Sequence, residues 1–530
     1  MDDRPGGLVG GTRVVVDGRV RLWRDGRTAL GGAPWGVSRL GPASADLLRR
    51  LRTAAEAGLV PVTPTERAAA DRLVERGLAH PMPSLGGPAP AGTPKPSAPG
   101  GVGGPVGGRV GGRTVEVVVP VYGGPDLLVT CLDALAGLPV VVVDDASPTE
   151  AVARVARERG ARVIRHPVNR GPAAGRNTGL AATTSDLVAF VDADCAPAPG
   201  WLAPLVALFD DPRVGAVAPR VVPRSSSTSL LARHERARSA LDMGARRALV
   251  RPGSPLGFLP SATLIVRRTA LAPGGFDEDL RLGEDVDLVW RLADAGWHVR
   301  YEPSVTVDHE MRIQPYAWLR RRFEYGTSTA QLHRRHPGRL TPARLSGWNL
   351  AVFVAVLTRR PLVGAALAGT ASSLLARKLA AGRADPVLAP VVVGMGLGAD
   401  AISVGHALRR EWWPLGWLAL AAVGPSRPAR AAAAAMLVPI AWEWLRERPD
   451  VDPVRYTALR LVEDAAYGCG VLASALRDRS PSILAPHIRV PYLDQVTTMF
   501  GGRGDRPGLR GATSAPVPPG RSTTPSAPDR

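Results

Sequence analysis

Leu187-Val188-Ala189-Phe190-Val191-Asp192-Ala193-Asp194 decides the fold of this chain. Five unbroken apolar residues, too few for a helix, read as a strand buried on both faces of a sheet. Two acids separated by one residue end the run. In extended backbone, residues i and i+2 project to the same side, so Asp192 and Asp194 can face one cation. Hard divalent ions such as Mg2+ or Mn2+ take oxygen ligands, keep waters and bridge substrate phosphates. An isolated Asp-x-Asp is often a pair of exposed turn residues. The preceding strand pins this pair at a strand end.

The same pattern extends upstream. Residues 115–121 and 140–143 are short β-branched runs, with a helix expected over 127–138. A helix over 151–160 and a strand over 162–165 follow. Alternating strand and helix predicts an α/β domain over 114–340, built on a doubly wound parallel sheet with ligands at the carboxyl ends of its strands. Pro120 lacks a ladder donor and ends the first strand, which exposes the loop carrying Tyr122. Tyr122 either stacks on a base or belongs to the core. Asp144 and Asp145 follow four valines. A buried, unpaired carboxylate is costly, so the pair is expected at the solvent-facing end of the strand. There one of them can accept a hydrogen bond from a uracil N–H, or simply cap the turn into Ser147-Pro148-Thr149. Residues 169–179 form a small-residue turn leading into a helix, where backbone N–H groups and Arg176 can meet phosphate. This turn is neither a P-loop nor a dinucleotide fingerprint.

Downstream, Gly283-Glu284-Asp285-Val286-Asp287-Leu288-Val289-Trp290-Arg291-Leu292 opens a helix with three acids in its first turn. The helix dipole alone would favour them. The chemical alternative is that one of them takes a proton from an acceptor hydroxyl. His309, after the strand-like 304–308, is either a further metal or diphosphate ligand or a structural histidine.

With 530 residues the chain exceeds a single core, and two to four domains are expected. Its net charge of +19 suggests anionic partners. Nearly all the cations are Arg, with Lys only at 95 and 378, as GC-rich bacterial coding produces. No compact Arg run is interleaved with aromatics, so nucleic acid is not an expected partner. Cys131, Cys195 and Cys469 lack metal-ligand spacing and are odd in number, which favours a reducing compartment. The acidic start Met1-Asp2-Asp3-Arg4 does not read as a secretory signal.

Residues 82–113 read as a Gly/Pro linker, and 479–530 as a mostly disordered tail. Before the linker, residues 1–81 suggest a small winged-helix-like domain. A hairpin is expected over 13–23 around Asp17-Gly18, with a strand at 28–30 and helices at 47–57 and 65–76. After the α/β domain, residues 341–478 are apolar and helical. They include 387–408, near span length but interrupted by Asp400 and His406, and several tryptophans that could anchor at an interface. Both a soluble bundle and membrane association fit, with the catalytic domain in the latter case on the cytoplasmic side.

Taken in order, these residues resemble the family-2 inverting glycosyltransferases of the GT-A fold, over about 115–335. The resemblance rests on Pro120-Val121-Tyr122, Val143-Asp144-Asp145-Ala146-Ser147, Arg176-Asn177-Thr178-Gly179, Asp192-Ala193-Asp194, Gly274-Gly275-Phe276-Asp277-Glu278 and Gly283-Glu284-Asp285-Val286-Asp287-Leu288. It implies that Pro120, Tyr122, Asp145, Arg176 and Asp192 bind the nucleotide-sugar donor. It also implies that Asp194 and His309 hold a divalent metal on the diphosphate and that Asp285 is the catalytic base. A narrower resemblance is to the mycofactocin-system glycosyltransferases, which combine a small N-terminal unit, this domain and an apolar C-terminal region. The stretch Leu40-Gly41-Pro42-Ala43-Ser44-Ala45-Asp46-Leu47-Leu48 resembles small peptide-recognition domains similar to the pyrroloquinoline-quinone chaperone. These resemblances imply transfer of a β-linked glucose from UDP-glucose to a peptide-derived redox cofactor precursor. The rival readings are a cell-envelope polysaccharide or glycolipid transferase and a non-catalytic peptide-binding adaptor.

Overall fold

The computed structural model describes residues 7–83, 108–271, 274–311, 313–424 and 426–489. The N-terminal unit comprises β1 (Val14–Val16), β2 (Arg21–Leu22), β3 (Thr28–Gly31), β4 (Gly36–Arg39), α1 (Pro42–Ala54), α2 (Pro64–Glu75) and β5 (Ala79–Pro81). The hairpin expected over 13–23 does not form. The chain turns at Asp17-Gly18, but β1 pairs with β5, while β2, β3 and β4 form a separate antiparallel sheet. Asp17 explains the divergence: its carboxylate accepts from Arg19 N (2.6 Å) and holds the buried His80 ring (2.9 Å), tying the turn to β5. Helix α1 starts at Pro42, ahead of the start expected at residue 47, because proline suits a first helical turn. Helix α2 begins with a Thr63–Glu66 capping box.

The central domain follows as β6 (Arg109–Val110), β7 (Arg113–Val121), α3 (Pro125–Ala134), β8 (Val140–Asp144), α4 (Ala151–Glu158), β9 (Arg162–Arg165), α5 (Pro172–Ala181), β10 (Leu187–Val191), β11 (Cys195–Pro197), α6 (Leu202–Ala207) and β12 (Val214–Arg224). It continues with α7 (Leu230–Ala237), β13 (Ala248–Val250), β14 (Thr263–Arg267), α8 (Glu284–Asp294), β15 (His298–Glu310), α9 (Pro315–Thr327) and α10 (Thr329–Arg335). The main path of its sheet runs β11-β15-β12-β14-β10-β7-β8-β9. Strands β10, β7, β8 and β9 are parallel, as expected. The other half corrects the expectation of a parallel sheet: β14 runs antiparallel to both β10 and β12, so the sheet is mixed. The apolar run of β14 looks like any buried strand, and pattern alone carries no direction. Residues 109–113, assigned above to the linker, form the hairpin from β6 into β7; 84–107 lie outside the described residues.

One face of the sheet packs on α3, α4 and α6 through Val117, Val119, Leu128, Val152 and Leu205. The other packs on α8 through Val118, Phe190, Phe276, Leu288 and Leu292. Strand β7 runs one residue past Pro120, which stays in register with Val143. Pairing with β10 has already ended at Val118, so no ladder bond is lost there.

The last region contains β16 (Arg344–Ser346), α11 (Gly347–Leu357), α12 (Pro361–Ala381), α13 (Leu388–Arg409), α14 (Trp413–Ala421), α15 (Arg427–Glu447), α16 (Pro453–Arg477) and β17 (His487–Arg489). Strand β17 pairs in parallel with β16, so the segment read as tail begins in ordered structure; 490–530 lie outside the described residues. Helix α16 is fastened to the central domain through Glu463, which binds His234 of α7 and Arg322 of α9. The N-terminal unit is likewise docked on the central domain. Arg213 at the start of β12 binds Asp71 (2.8 Å) and Glu75 (3.4 Å), and Arg247 binds Glu56 (3.2 Å).

Candidate active site

The carboxyl ends of β7, β8 and β10 meet the first turn of α8 and the far end of β15. Tyr122, just past β7, is 61% exposed, which settles its alternative against the core. Asp144 and Asp145 are buried rather than solvent-facing. Their burial is tolerated because donors surround them. Asp144 accepts from Ser147 N (2.8 Å) and faces Arg165 (3.3 Å). Asp145 accepts from Arg170 N (2.9 Å) and Gly171 N (2.8 Å) and holds His166 Nδ1 at 2.7 Å. Asp145 therefore clasps the loop into α5, and His166 passes the connection on to Thr178 Oγ1 at 2.9 Å. His166 was not singled out from sequence. Its one signal was position, directly after a strand that runs parallel to β8.

Helix α5 organises the rest. Gly179 lies against β7, where a Cβ would meet Val118 Cγ1 at 2.1 Å, so only glycine fits. Asn177 exchanges two hydrogen bonds with the Phe276 backbone (2.8 and 2.9 Å), fixing the Gly-Gly-Phe loop. Arg176, expected on phosphate, is buried and committed elsewhere. Its Nη2 donates to Asp192 (2.7 Å), its Nη1 donates to Glu284 (2.8 Å), and its guanidinium lies 5.3 Å from the Phe276 ring centroid. The helix turns this residue inward, toward the end of β10. Burial opposes its charge, but Asp192 and Glu284 outweigh burial and hold it protonated.

Asp192 and Asp194 do not share an extended segment. They lie in a turn closed by Cys195 N to Asp192 O (3.0 Å), so the alternation argument for their common side fails. Asp192 faces Arg176, whereas Asp194 Oδ2 lies 3.4 Å from His309 Nε2. The antiparallel ladder between β11 and β15, with Cys195 opposite His309, brings these two groups together. Both are partly exposed. Among the described residues no group of three or more His, Cys, Asp or Glu is arranged to hold a metal. The pair would offer a divalent ion one oxygen and one nitrogen donor on an accessible edge, with its remaining ligands supplied from outside the chain.

The three acids of α8 separate by partner. Gly283 caps the helix in a left-handed conformation (φ 84°). Asp287 is buried against His336 (2.9 Å) and Arg291 (2.7 Å), a structural clasp onto the end of α10. Glu284 binds Arg176. Burial and the adjacent Asp285 outweigh that cation and push Glu284 up to about 7. Asp285 accepts from Ser261 N (3.3 Å), and burial raises its proton affinity too. Among the described residues no cationic side chain hydrogen-bonds or ion-pairs with the Asp285 carboxylate, which accepts from the Ser261 and Val286 backbone and feels Arg176 only through space. Of the arginine run in α9, Arg320 pairs with Glu324 and Arg322 is buried against Glu235 and Glu463. Arg321 lies over Tyr325 (4.9 Å); its burial is outweighed by Tyr325, Glu324 and Asp192, which hold it protonated.

Residues 116–272 match the family model described as glycosyl transferase family 2. A pre-mycofactocin glycosyltransferase of Mycobacterium tuberculosis is 36% identical over 504 residues, covering 91% of this chain and 99% of its own length. Glycosyltransferase AglE of Haloferax volcanii is 25% identical over 264 residues, 47% of this chain and 82% of that protein. Among solved structures, a mannosyltransferase from Pyrobaculum calidifontis in complex with GDP-Man and Mn2+ is 22% identical, covers 69% of this chain and 88% of its own, and has a TM-score of 0.39.

Proposed function

The chain belongs to glycosyl transferase family 2, and from that premise we propose that it moves glucose from UDP-glucose, with inversion, onto a peptide-derived redox cofactor precursor, the pre-mycofactocin of its relative's name. One observation carries the chemistry: the bridge Asp192–Arg176–Glu284, buried at Arg176 and Glu284, which links the end of β10 to the residue beside Asp285. Through it a donor-side carboxylate and the base are held as one rigid unit.

In this reading the GT-A domain binds the donor between Tyr122 and Asp192, against the loop that the buried Asp145 clasps. A divalent cation held by Asp194 and His309 would supply Lewis-acid neutralisation of the departing diphosphate. Arg321 adds a positive charge to that side of the cleft. Asp285 accepts the proton of the acceptor hydroxyl as its oxygen bonds to the anomeric carbon. The bond from that carbon to the diphosphate oxygen breaks in the same displacement, so an α-linked donor yields a β-linked product and UDP. No second carboxylate is needed as a covalent nucleophile.

The N-terminal unit is read as a winged-helix-like peptide-recognition domain. It is docked near His298, at the opposite end of β15 from His309. At about 3.3 Å per strand residue that is roughly 30 Å or more from the metal pair, so a peptide held there would reach the base only as an extended chain. We also read the apolar C-terminal helices as seating the enzyme on the cytoplasmic face of the membrane, where nucleotide-sugars are made. Those exposed apolar helices favour a second reading, in which the acceptor is a glycolipid. The deciding experiment offers UDP-glucose with a synthetic precursor peptide-derived acceptor or a polyprenyl-linked sugar, and reads the product's anomeric configuration by NMR. Transfer to the lipid alone would overturn the acceptor class, and an α-linked product would overturn the single displacement.

A further inference from the structure

Helix α13 is the one described helix long and apolar enough, by length and composition, to cross a bilayer, and only 17% of its most apolar window is buried. Its neighbours also turn large apolar side chains to solvent: Leu362 is 84% exposed, Trp442 67%, Leu418 64% and Val438 63%. Unsupported exposure on this scale marks an interaction surface.

Both ends of α13 are tied to the water-soluble body. At its start, Leu388 and Ala389 pack with Leu30 and Val37 of the N-terminal unit. Just before it, Asp385 accepts from Trp23 Nε1 (2.9 Å) and Arg24 Nε (3.0 Å). At its other end, Ala407 packs on Ala343 and Leu345, and Arg409 binds Asp464 of α16 (3.2 Å). Between them, Asp400 accepts from Ser346 N and Asn349 Nδ2, both at 2.8 Å. The N-terminal unit and the central domain touch each other directly through Arg213 and Asp71. A crossing α13 would put these two units on opposite sides of a core about 30 Å thick, which their contact forbids. The uncharged stretches of the layer, 347–358, 361–376, 387–399, 412–424 and 431–442, are each shorter than the roughly 20 residues a crossing needs. Arg359 and Arg360, Arg377 and Lys378, and Arg427 and Arg430 flank these stretches, charge suited to anionic headgroups.

We propose that α11–α15 form a monotopic plate that enters one leaflet of an anionic membrane and lies in its plane, with no helix crossing. The inference rests on the membrane seating proposed above and specifies its geometry. The apolar faces displace the outer acyl region, while the flanking cations meet lipid phosphates.

The test adds the full chain to preformed sealed vesicles of phosphatidylcholine with or without phosphatidylglycerol, followed by flotation. Arg383→Cys and Gly424→Cys chains, at the α12–α13 and α14–α15 turns on either side of α13, are then treated with a membrane-impermeant maleimide, and the same is done on sealed inverted membranes from expressing cells. Expected are flotation with phosphatidylglycerol vesicles, weaker flotation without it, and labelling of both turns from the one, cytoplasmic face. Leu362→Glu with Trp442→Glu should lower the bound fraction by at least about tenfold and leave turnover of a soluble acceptor unchanged. Labelling of the two turns from opposite faces would overturn the in-plane geometry while leaving membrane seating intact. Equal flotation without phosphatidylglycerol would overturn the anionic preference. No flotation from either vesicle would overturn membrane seating itself. Self-association without lipid uptake would do the same and assign the plate to a second copy of the chain.

Discussion

Strand β10 and helix α13 are both unbroken apolar runs, yet they end in opposite surroundings. Every residue of β10 is buried, between β7 and β14 and under helices on both faces. Helix α13, far longer, leaves most of its apolar window uncovered. The difference teaches that apolarity reports a preference to leave water and not what replaces the water. For β10 the replacement is the rest of the sheet, and the strand end becomes a rigid platform for Asp192 and Asp194. For α13 we propose lipid.

Substitutions can break or sharpen this contrast. The largest effect is expected on the platform. Asp285→Asn should cut turnover by about 10²–10⁴-fold, the range of a lost general base, with donor affinity nearly unchanged. A matching loss of donor affinity, measured by calorimetry, would make Asp285 a donor ligand instead. Phe190→Ala comes next. Phe190 is fully buried and meets Phe276 edge-on at 5.0 Å. Its truncation should cost about 3–5 kcal/mol in denaturant unfolding. A cost near zero would mean that β10 is not the packed platform described.

Asp194→Ala should reduce turnover to a background insensitive to added Mg2+ or Mn2+ while leaving the unfolding midpoint in place. Retained metal-dependent activity would remove Asp194 from the metal site. Glu284→Gln should act through pH. Burial and Asp285 raise Glu284 to about 7, and Asp285 is itself raised by burial. The base must be ionised to take a proton, so activity is lost as pH falls through the Asp285 pKa, which burial holds above the ordinary carboxylate range. Removing the Glu284 charge lowers the proton affinity of Asp285, so the acid limb of the kcat profile should move to lower pH. An unmoved limb would uncouple the two acids. The smallest effect belongs to the plate: Leu362→Ala should change stability in water by no more than about 0.5 kcal/mol. A cost like that of Phe190→Ala would mean that Leu362 is covered by protein.

Most of the site was legible because its residues sit at strand ends and a helix start, and periodicity locates those. Strands β9 and β10 have the boundaries read from the pattern. What failed were statements about where side chains point. Arg176 looked available to phosphate, but the turn of α5 faces it inward, between Asp192 and Glu284. Asp144 and Asp145 looked exposed because their burial would be costly alone; the donors that offset the cost come from the 147 turn and the 165–171 segment. Asp287 and Asp285 are two residues apart in sequence and have separate roles, since one meets His336 and the other does not.

The sequence by itself determined the alternation of strand and helix, the acidic strand ends, the six ordered motifs and hence the family, because these depend on local period and on residue chemistry. Only the tertiary structure decided the antiparallel course of β14, the docking of the N-terminal unit at the sheet end away from His309, and the pairing of Asp194 with His309. Each of these brings together groups distant along the chain, and strand direction, domain docking and ion-pair choice are settled by contacts that no local window of sequence contains.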